Sequence, residues 1–220
     1  HVTRHYRFDN YLNRCCENYP THELGPIAKL LDINRGNRIM TVSSFASKSA
    51  GLSEYIKTRD DATDEMKAAN FAQGDIITTV LTCARGETIL LRLDTTLPRS
   101  YSRDFTVRGT KGLYMQDTNS VFLDGDEESF EPVEYYKKAL NNAVKFEDEY
   151  LPGIWKNVTE ETLKAGHGGM DWFAYMGFTD ALINGEEMPV DVYDAATWQA
   201  VAVLSEMSIK QGGAPQIMPD

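Results

Sequence analysis

Cysteine, histidine, positive charge and long apolar runs are all scarce in this 220-residue chain. Its three cysteines, Cys15, Cys16 and Cys83, are odd in number with two adjacent, which neither builds a disulfide framework nor matches zinc-ligand spacing. No metal site is expected, and a reducing compartment, the cytoplasm, is the expected location. No apolar run approaches the roughly 20 residues that span a bilayer, and the N-terminus lacks the apolar core of a signal peptide, so no membrane association is expected. The chain begins at His1 without methionine, which leaves the second absence little weight. With 22 Lys+Arg against 33 Asp+Glu and a net charge of −11, there is no basic stripe to neutralise phosphates, and nucleic-acid binding is disfavoured. Also missing are an internal repeat, a low-complexity segment and a Gly-x-Gly-x-x-Gly turn between a strand and a helix. The chain thus carries no dinucleotide fingerprint of its own.

What is present reads as helix, then sheet, then helices, within a length that suits one large domain. Ile39 to Ala46 is rich in β-formers, and Ser53 to Lys57 and Asp64 to Phe71 read as short helices. Asp75 to Cys83 and Thr88 to Thr95 flank Ala84-Arg85-Gly86-Glu87 and predict a hairpin. Arg103 to Arg108, Gly112 to Gln116 and Ser120 to Leu123 predict further strands joined by Gly109-Thr110-Lys111 and Asp117-Thr118-Asn119. Val133 to Tyr150 predicts a long amphipathic helix stopped by Pro152-Gly153, and Met170 to Asn184 places Trp172, Tyr175, Phe178 and Leu182 near one helical face. Asp191 to Gln211, rich in Ala, Val and Leu and ended by Gly212-Gly213, predicts a deeply packed helix. Segregated strands and helices predict an α+β fold, a mainly antiparallel open sheet of about six strands packed against helices.

Three short segments carry chemistry. In Asn18-Tyr19-Pro20-Thr21-His22 a phenol and an imidazole stand three residues apart where a loop leads into a helix, with Thr21 as the expected N-cap. A capped helix with His22 bonded to nearby backbone is the plainer reading of those five residues, and a proton-transferring pair the functional one. In Gly166-His167-Gly168-Gly169-Met170-Asp171, glycines let backbone approach a ligand, His167 stands before a helix N-terminus, and Asp171 can orient the imidazole. An ordinary glycine-rich connection reads equally well. Pro98-Arg99-Ser100-Tyr101-Ser102-Arg103 suits polyol recognition at a strand end, or an ordinary sheet rim.

Together with Tyr6-Arg7, Glu23-Leu24-Gly25-Pro26-Ile27-Ala28, Ile33-Asn34-Arg35-Gly36-Asn37-Arg38, Gly109-Thr110-Lys111-Gly112 and Asp191-Val192-Tyr193-Asp194-Ala195-Ala196, these segments resemble, in order, the C-terminal domain of glycoside hydrolase family 109. That family belongs to the Gfo/Idh/MocA superfamily of NAD(P)-dependent oxidoreductases. The chain departs from the family pattern at Glu23, where glycine is usual, and at Cys15-Cys16-Glu17, which replaces a more polar, glycine-containing stretch.

The resemblance implies a C-terminal substrate-binding and catalytic domain, residues 1–220, that normally follows an N-terminal Rossmann domain holding NAD or NADP. Neither that domain nor its Glu-Lys-Pro motif is in these residues. It further implies glycoside cleavage by redox-assisted elimination: transient oxidation at C3 of a hexosamine, removal of the C2 proton, departure of the C1 substituent, addition of water and return of the hydride. Tyr19 and His22 are then the acid-base candidates, with Arg7, Tyr101, His167 and Asp171 on the substrate. A phenol acting as base near neutrality needs nearby positive charge, which Arg7 or His22 would supply. Tyr19, His22 and His167 are expected around one cleft with Arg7 and Tyr101 near it. The expected partners are a sugar or amino-sugar glycoside, the protein's own Rossmann domain and a second copy docked through the sheet face. The alternatives are a simple NAD(P)-dependent sugar or cyclitol dehydrogenase, or a fragment that serves only in binding or oligomerisation and turns over nothing by itself.

Overall fold

The computed structural model describes residues 5–125, 132–156 and 158–220. In chain order the elements begin with α1 (His5–Asn13), α2 (Thr21–Leu30), β1 (Ile39–Ala46), α3 (Gly51–Lys57) and α4 (Asp64–Lys67). Strands β2 (Ile76–Cys83), β3 (Thr88–Asp94), β4 (Thr106–Gly109), β5 (Gly112–Met115) and β6 (Ser120–Leu123) follow. The rest is α5 (Pro132–Ala139), α6 (Glu147–Tyr150), α7 (Gly153–Lys156), α8 (Glu160–Leu163), α9 (Met170–Asn184), α10 (Val192–Lys210) and β7 (Gln216–Ile217), with 3-10 turns at Asn142–Phe146 and His167–Gly169. The chain clusters into two units, His1–Arg99 with Val190–Asp220, and Ser100–Pro189.

The first unit is an antiparallel sheet of order β3-β2-β1-β7 with helices on one face. Strand β2 alternates strictly: Ile77, Thr79, Leu81 and Cys83 are buried, while the residues between them are half-buried. This is the period of two that puts successive side chains on opposite faces. The buried face meets α10, whose Trp198, Val201, Leu204, Ser205 and Ser208 recur at helical spacing and are all buried. Leu24 and Ala28 of α2 complete this core with Ile33, Ile39, Val42, Ile89 and Leu91. Small polar residues bring helix and sheet close: the Ser44 N–H of β1 donates to Ser208 Oγ at 2.9 Å, and Ser44 Oγ meets Thr79 Oγ1 at 2.8 Å. The β2–β3 hairpin closes with Gly86 at φ +97°, a left-handed backbone that glycine adopts freely.

The second unit carries the antiparallel meander β4-β5-β6 and the helices α5 to α9. The α+β class and antiparallel pairing agree with the sequence, but the six expected strands divide between two sheets rather than joining one. A two-residue seventh strand, β7, completes the larger sheet by pairing with β1.

The long helix expected over Val133 to Tyr150 is broken. Asn141 takes a left-handed conformation, φ 56°, and the side chain of Asn142 pairs with both backbone groups of Val121 on β6, accepting at 2.6 Å and donating at 2.7 Å. Side-chain amides that satisfy backbone elsewhere compete with helix continuation, and here the competition wins over the apolar pattern. In α9 the stripe Trp172, Tyr175, Phe178 and Leu182 is exposed, and Ala181 is the buried residue of that helix. Among the described residues no helix is long and apolar enough to cross a membrane.

Candidate active site

The chain between α1 and α2 is gripped before it reaches the phenol and the imidazole. Gln73 holds both backbone groups of Cys16, accepting its N–H at 3.2 Å and donating to its carbonyl at 3.1 Å. The Glu17 N–H donates to Ser205 Oγ of α10 at 2.8 Å, and Gly74 N–H donates to Cys15 Sγ at 3.4 Å. Pro20 is buried and already has helical angles, φ −70° and ψ −21°, and its carbonyl accepts Leu24 N–H at 2.8 Å. The helix therefore starts one residue earlier than expected: Pro20 takes the cap position and Thr21 is the first helical residue, with no side-chain cap bond. Proline's fixed φ suits that place.

Fixed in this way, the Tyr19 and His22 rings stack with centroids 4.7 Å apart and planes at 23°. Both are exposed, so a ligand can reach either ring. Thr21 Oγ1 lies 3.5 Å from His22 Nδ1. Pro26 sits inside α2 and has no N–H, so the His22 carbonyl lacks the helical donor that residue 26 would otherwise supply. A phenol and an imidazole in stacking contact at one helix start are two proton carriers that can serve a single substrate. Arg7, on α1, donates from Nε to Tyr6 Oη at 3.2 Å, and its charge acts on Tyr11, whose hydroxyl is raised chiefly by burial.

Two acids that sequence reasoning did not place in the site flank this step. Glu17 is fully buried, and its carboxyl is pushed up to about 8, first by burial and next by the charge of Glu23. Glu23, partly buried in the first turn of α2, is also raised by burial. A loop glutamate and a first-turn glutamate read as surface charge in a sequence, and the only signal was that both positions depart from the resembled family's pattern.

In the second unit, residues 166–169 all have positive φ, between 45° and 94°. A Cβ on Gly166 would lie 2.4 Å from Asp171 Oδ2, so this position needs glycine. The turn sets His167 Nδ1 2.9 Å from each oxygen of Asp171. A carboxylate on one ring nitrogen draws the proton there and leaves Nε2 as the acceptor toward a ligand. Tyr101 is 82% exposed. Its neighbour Ser102 donates to Asp117, and the Asp104 N–H donates to Ser102 Oγ at 2.7 Å. The structure thus joins Tyr19 to His22 and His167 to Asp171; Arg7 lies in the first unit and Tyr101 in the second.

Among the described residues no group of three His, Cys, Asp or Glu side chains is placed to hold a metal ion. A cavity of about 540 Å³ in the first unit is lined by Asn34, Arg38, Asp191, Tyr193 and Thr197 among others, and none of Tyr19, His22 or Arg7 borders it. Its rim is held by Arg35, which grips Asp194 at 2.8 and 2.9 Å and Asp191 at 3.3 Å.

The family described as "Glycosyl hydrolase 109, C-terminal domain" matches residues 1–220. A glycosyl hydrolase family 109 protein of Stenotrophomonas maltophilia is 41% identical over 98% of this chain and 46% of the relative's length. An alpha-N-acetylgalactosaminidase of Tannerella forsythia is 38% identical over 98% of this chain and 44% of the relative, and one of Shewanella oneidensis is 34% identical over 92% and 43%. The chain therefore spans a little under half the length of the curated relatives it matches.

Proposed function

Because the chain belongs to glycosyl hydrolase family 109, as the C-terminal domain of that family, we propose that it is the substrate-side half of an enzyme that cleaves amino-sugar glycosides, with α-N-acetylgalactosaminides the first class to test. The observation that carries the reading is the exposed Tyr19–His22 stack, 4.7 Å between ring centroids, built where Pro20 starts α2. Two proton carriers that can meet one ligand suit a cleavage in which a C–H proton is removed and a leaving oxygen is protonated. They contrast with the two flanking carboxylates of an ordinary glycosidase. In this reading Tyr19 and His22 move the protons, and Arg7, in the same unit, contacts sugar hydroxyls or stabilises charge.

The nicotinamide dinucleotide implied by the family resemblance finds no cradle among the described residues. Their strand ladders are all antiparallel, whereas dinucleotide pyrophosphate sits at the strand-to-helix turn of a parallel βαβ unit. The site of that cofactor belongs to the reading of the intact protein, in the half N-terminal to this chain. Assembly belongs to the same reading. The sheet face turned away from α10 aligns Ser43, Val80 and Leu90 in one row and Phe45, Thr78 and Arg92 in the next, with Leu90 65% and Phe45 56% exposed, which supports a second copy docking there.

The test is hydrolysis of an aryl α-N-acetylgalactosaminide by the full-length protein. His22→Ala is expected to lower kcat/KM at least about 100-fold, the usual share of a positioned proton carrier, and Tyr19→Phe to lower it comparably. An unchanged rate in the His22 variant removes that residue from the mechanism. Oxidation of free sugars with net release of reduced cofactor and no glycoside cleavage would replace the hydrolase reading by the dehydrogenase one.

A further inference from the structure

The segment joining α1 to α2 buries a carboxyl group that a loop would ordinarily leave in water. Glu17 is 0% exposed, and its Oε1 accepts the Tyr19 N–H at 3.4 Å. The β3 backbone comes close to both groups, Leu93 beside Glu17 and Arg92, one residue earlier, beside Glu23. Two carboxyl groups from either side of the Tyr19–His22 step thus converge on successive residues of one strand. Among the described residues Glu17 Oε2 and Glu23 Oε2 are both buried and accept no hydrogen bond. If both groups were ionised, each would hold an unsatisfied charge away from water and would repel the other.

The nearby cations Arg99 and Arg14 are each engaged by another carboxylate. Arg99, which acts on Glu23, also pairs with Asp94 at 3.1 Å. Arg14 is bound to Glu206 at 2.7 Å, and α10 presents the uncharged Ser205 hydroxyl to the backbone of Glu17. The neighbouring Cys16 thiol is pushed up to about 11, chiefly by burial, and so stays neutral.

We propose that Glu17 and Glu23 share one proton at neutral pH, and that this proton positions the Tyr19–His22 step, which makes Glu17 a positioning residue for the acid-base pair. The protonated pair is compatible with burial, so Glu17 keeps its place between β3 and the Tyr19 amide. Loss of the proton to solvent leaves two like charges beneath the step; the Glu17 carboxylate is drawn toward water and the Tyr19 amide is released. Interacting acids of this kind titrate as a pair. The bearing on turnover rests on the reading of Tyr19 and His22 as acid-base groups, whereas the shared proton does not.

The experiment is a pH titration of the protein carrying isotope-labelled glutamate, following side-chain carboxyl carbons, the Tyr19 amide and the His22 ring by NMR. One carboxyl is expected to titrate near pH 8, with the Tyr19 amide moving at the same midpoint. Glu23→Gln should lower that midpoint by about one pH unit, since it removes the neighbouring charge. Glu17→Gln keeps an acceptor for the Tyr19 N–H and should abolish the movement of the Tyr19 amide in this range. Carboxyl groups that all titrate below pH 6, a midpoint unmoved by Glu23→Gln, or a Tyr19 amide that still titrates in Glu17→Gln would each overturn the proposal. A titration as expected beside an unaltered rate in His22→Ala would leave the shared proton standing and remove the catalytic reading alone.

Discussion

Raising the pH from 4.5 to 8 should destabilise this fold, chiefly through Glu17. Its carboxyl is held at about 8 in the folded protein against an ordinary value of 4.5, because burial and the charge of Glu23 both disfavour ionisation. The folded state then binds a proton more tightly than the unfolded chain, so the contribution is complete below pH 4.5, declines as pH rises and is lost above about 8. At about 1.4 kcal/mol for each pH unit, the gap corresponds to about 5 kcal/mol across that window, an upper figure that side-chain relaxation toward water reduces. Glu23, raised in the same direction, adds to the slope. The substitution Glu17→Gln keeps the shape and the acceptor for Tyr19 N–H but cannot ionise. Its stability relative to the unsubstituted protein should rise steadily between pH 4.5 and 8, by several kcal/mol, and level off above. Urea unfolding followed by fluorescence of the three tryptophans at half-unit pH steps measures this directly. Parallel stability profiles for the two proteins across the window would refute the reasoning.

Arg35→Ala should cost about 3 kcal/mol, because it leaves Asp194, a carboxylate with 1% side-chain exposure that the Arg35 guanidinium holds below its usual range, without its bidentate partner; urea unfolding at neutral pH measures it, and the cost should shrink as acid protonates Asp194. Gly74→Ala should cost about 2 kcal/mol, since a Cβ there would lie 2.4 Å from the Ser47 carbonyl and backbone would have to move; a thermal midpoint unchanged from that of the parent would contradict it.

Local chemistry was enough to locate most of the elements. The alternation of Ile77, Thr79, Leu81 and Cys83, the glycine-containing turn before Thr88 and the apolar spacing of Trp198, Val201 and Leu204 are repeats within one segment, and backbone geometry converts each into a strand, a hairpin or a helix face. The same holds for the pairs closest in sequence: Tyr19 with His22, and His167 with Asp171, meet because proline or glycine sets the backbone between or beside them. Tertiary structure decided what depended on distant partners. Asn142 breaks an apolar helical pattern because Val121, 21 residues earlier, offers its backbone. The six expected strands fall in two sheets: β4 pairs with β5, and β7, from the far end of the chain, joins the larger sheet beside β1. Glu17 and Glu23 read as ordinary surface acids until Ser205, 188 residues away, and the edge of β3 enclose them. A residue type carries its charge in the sequence, but the cost of that charge depends on how much water remains around it, and only the packing of remote segments removes the water.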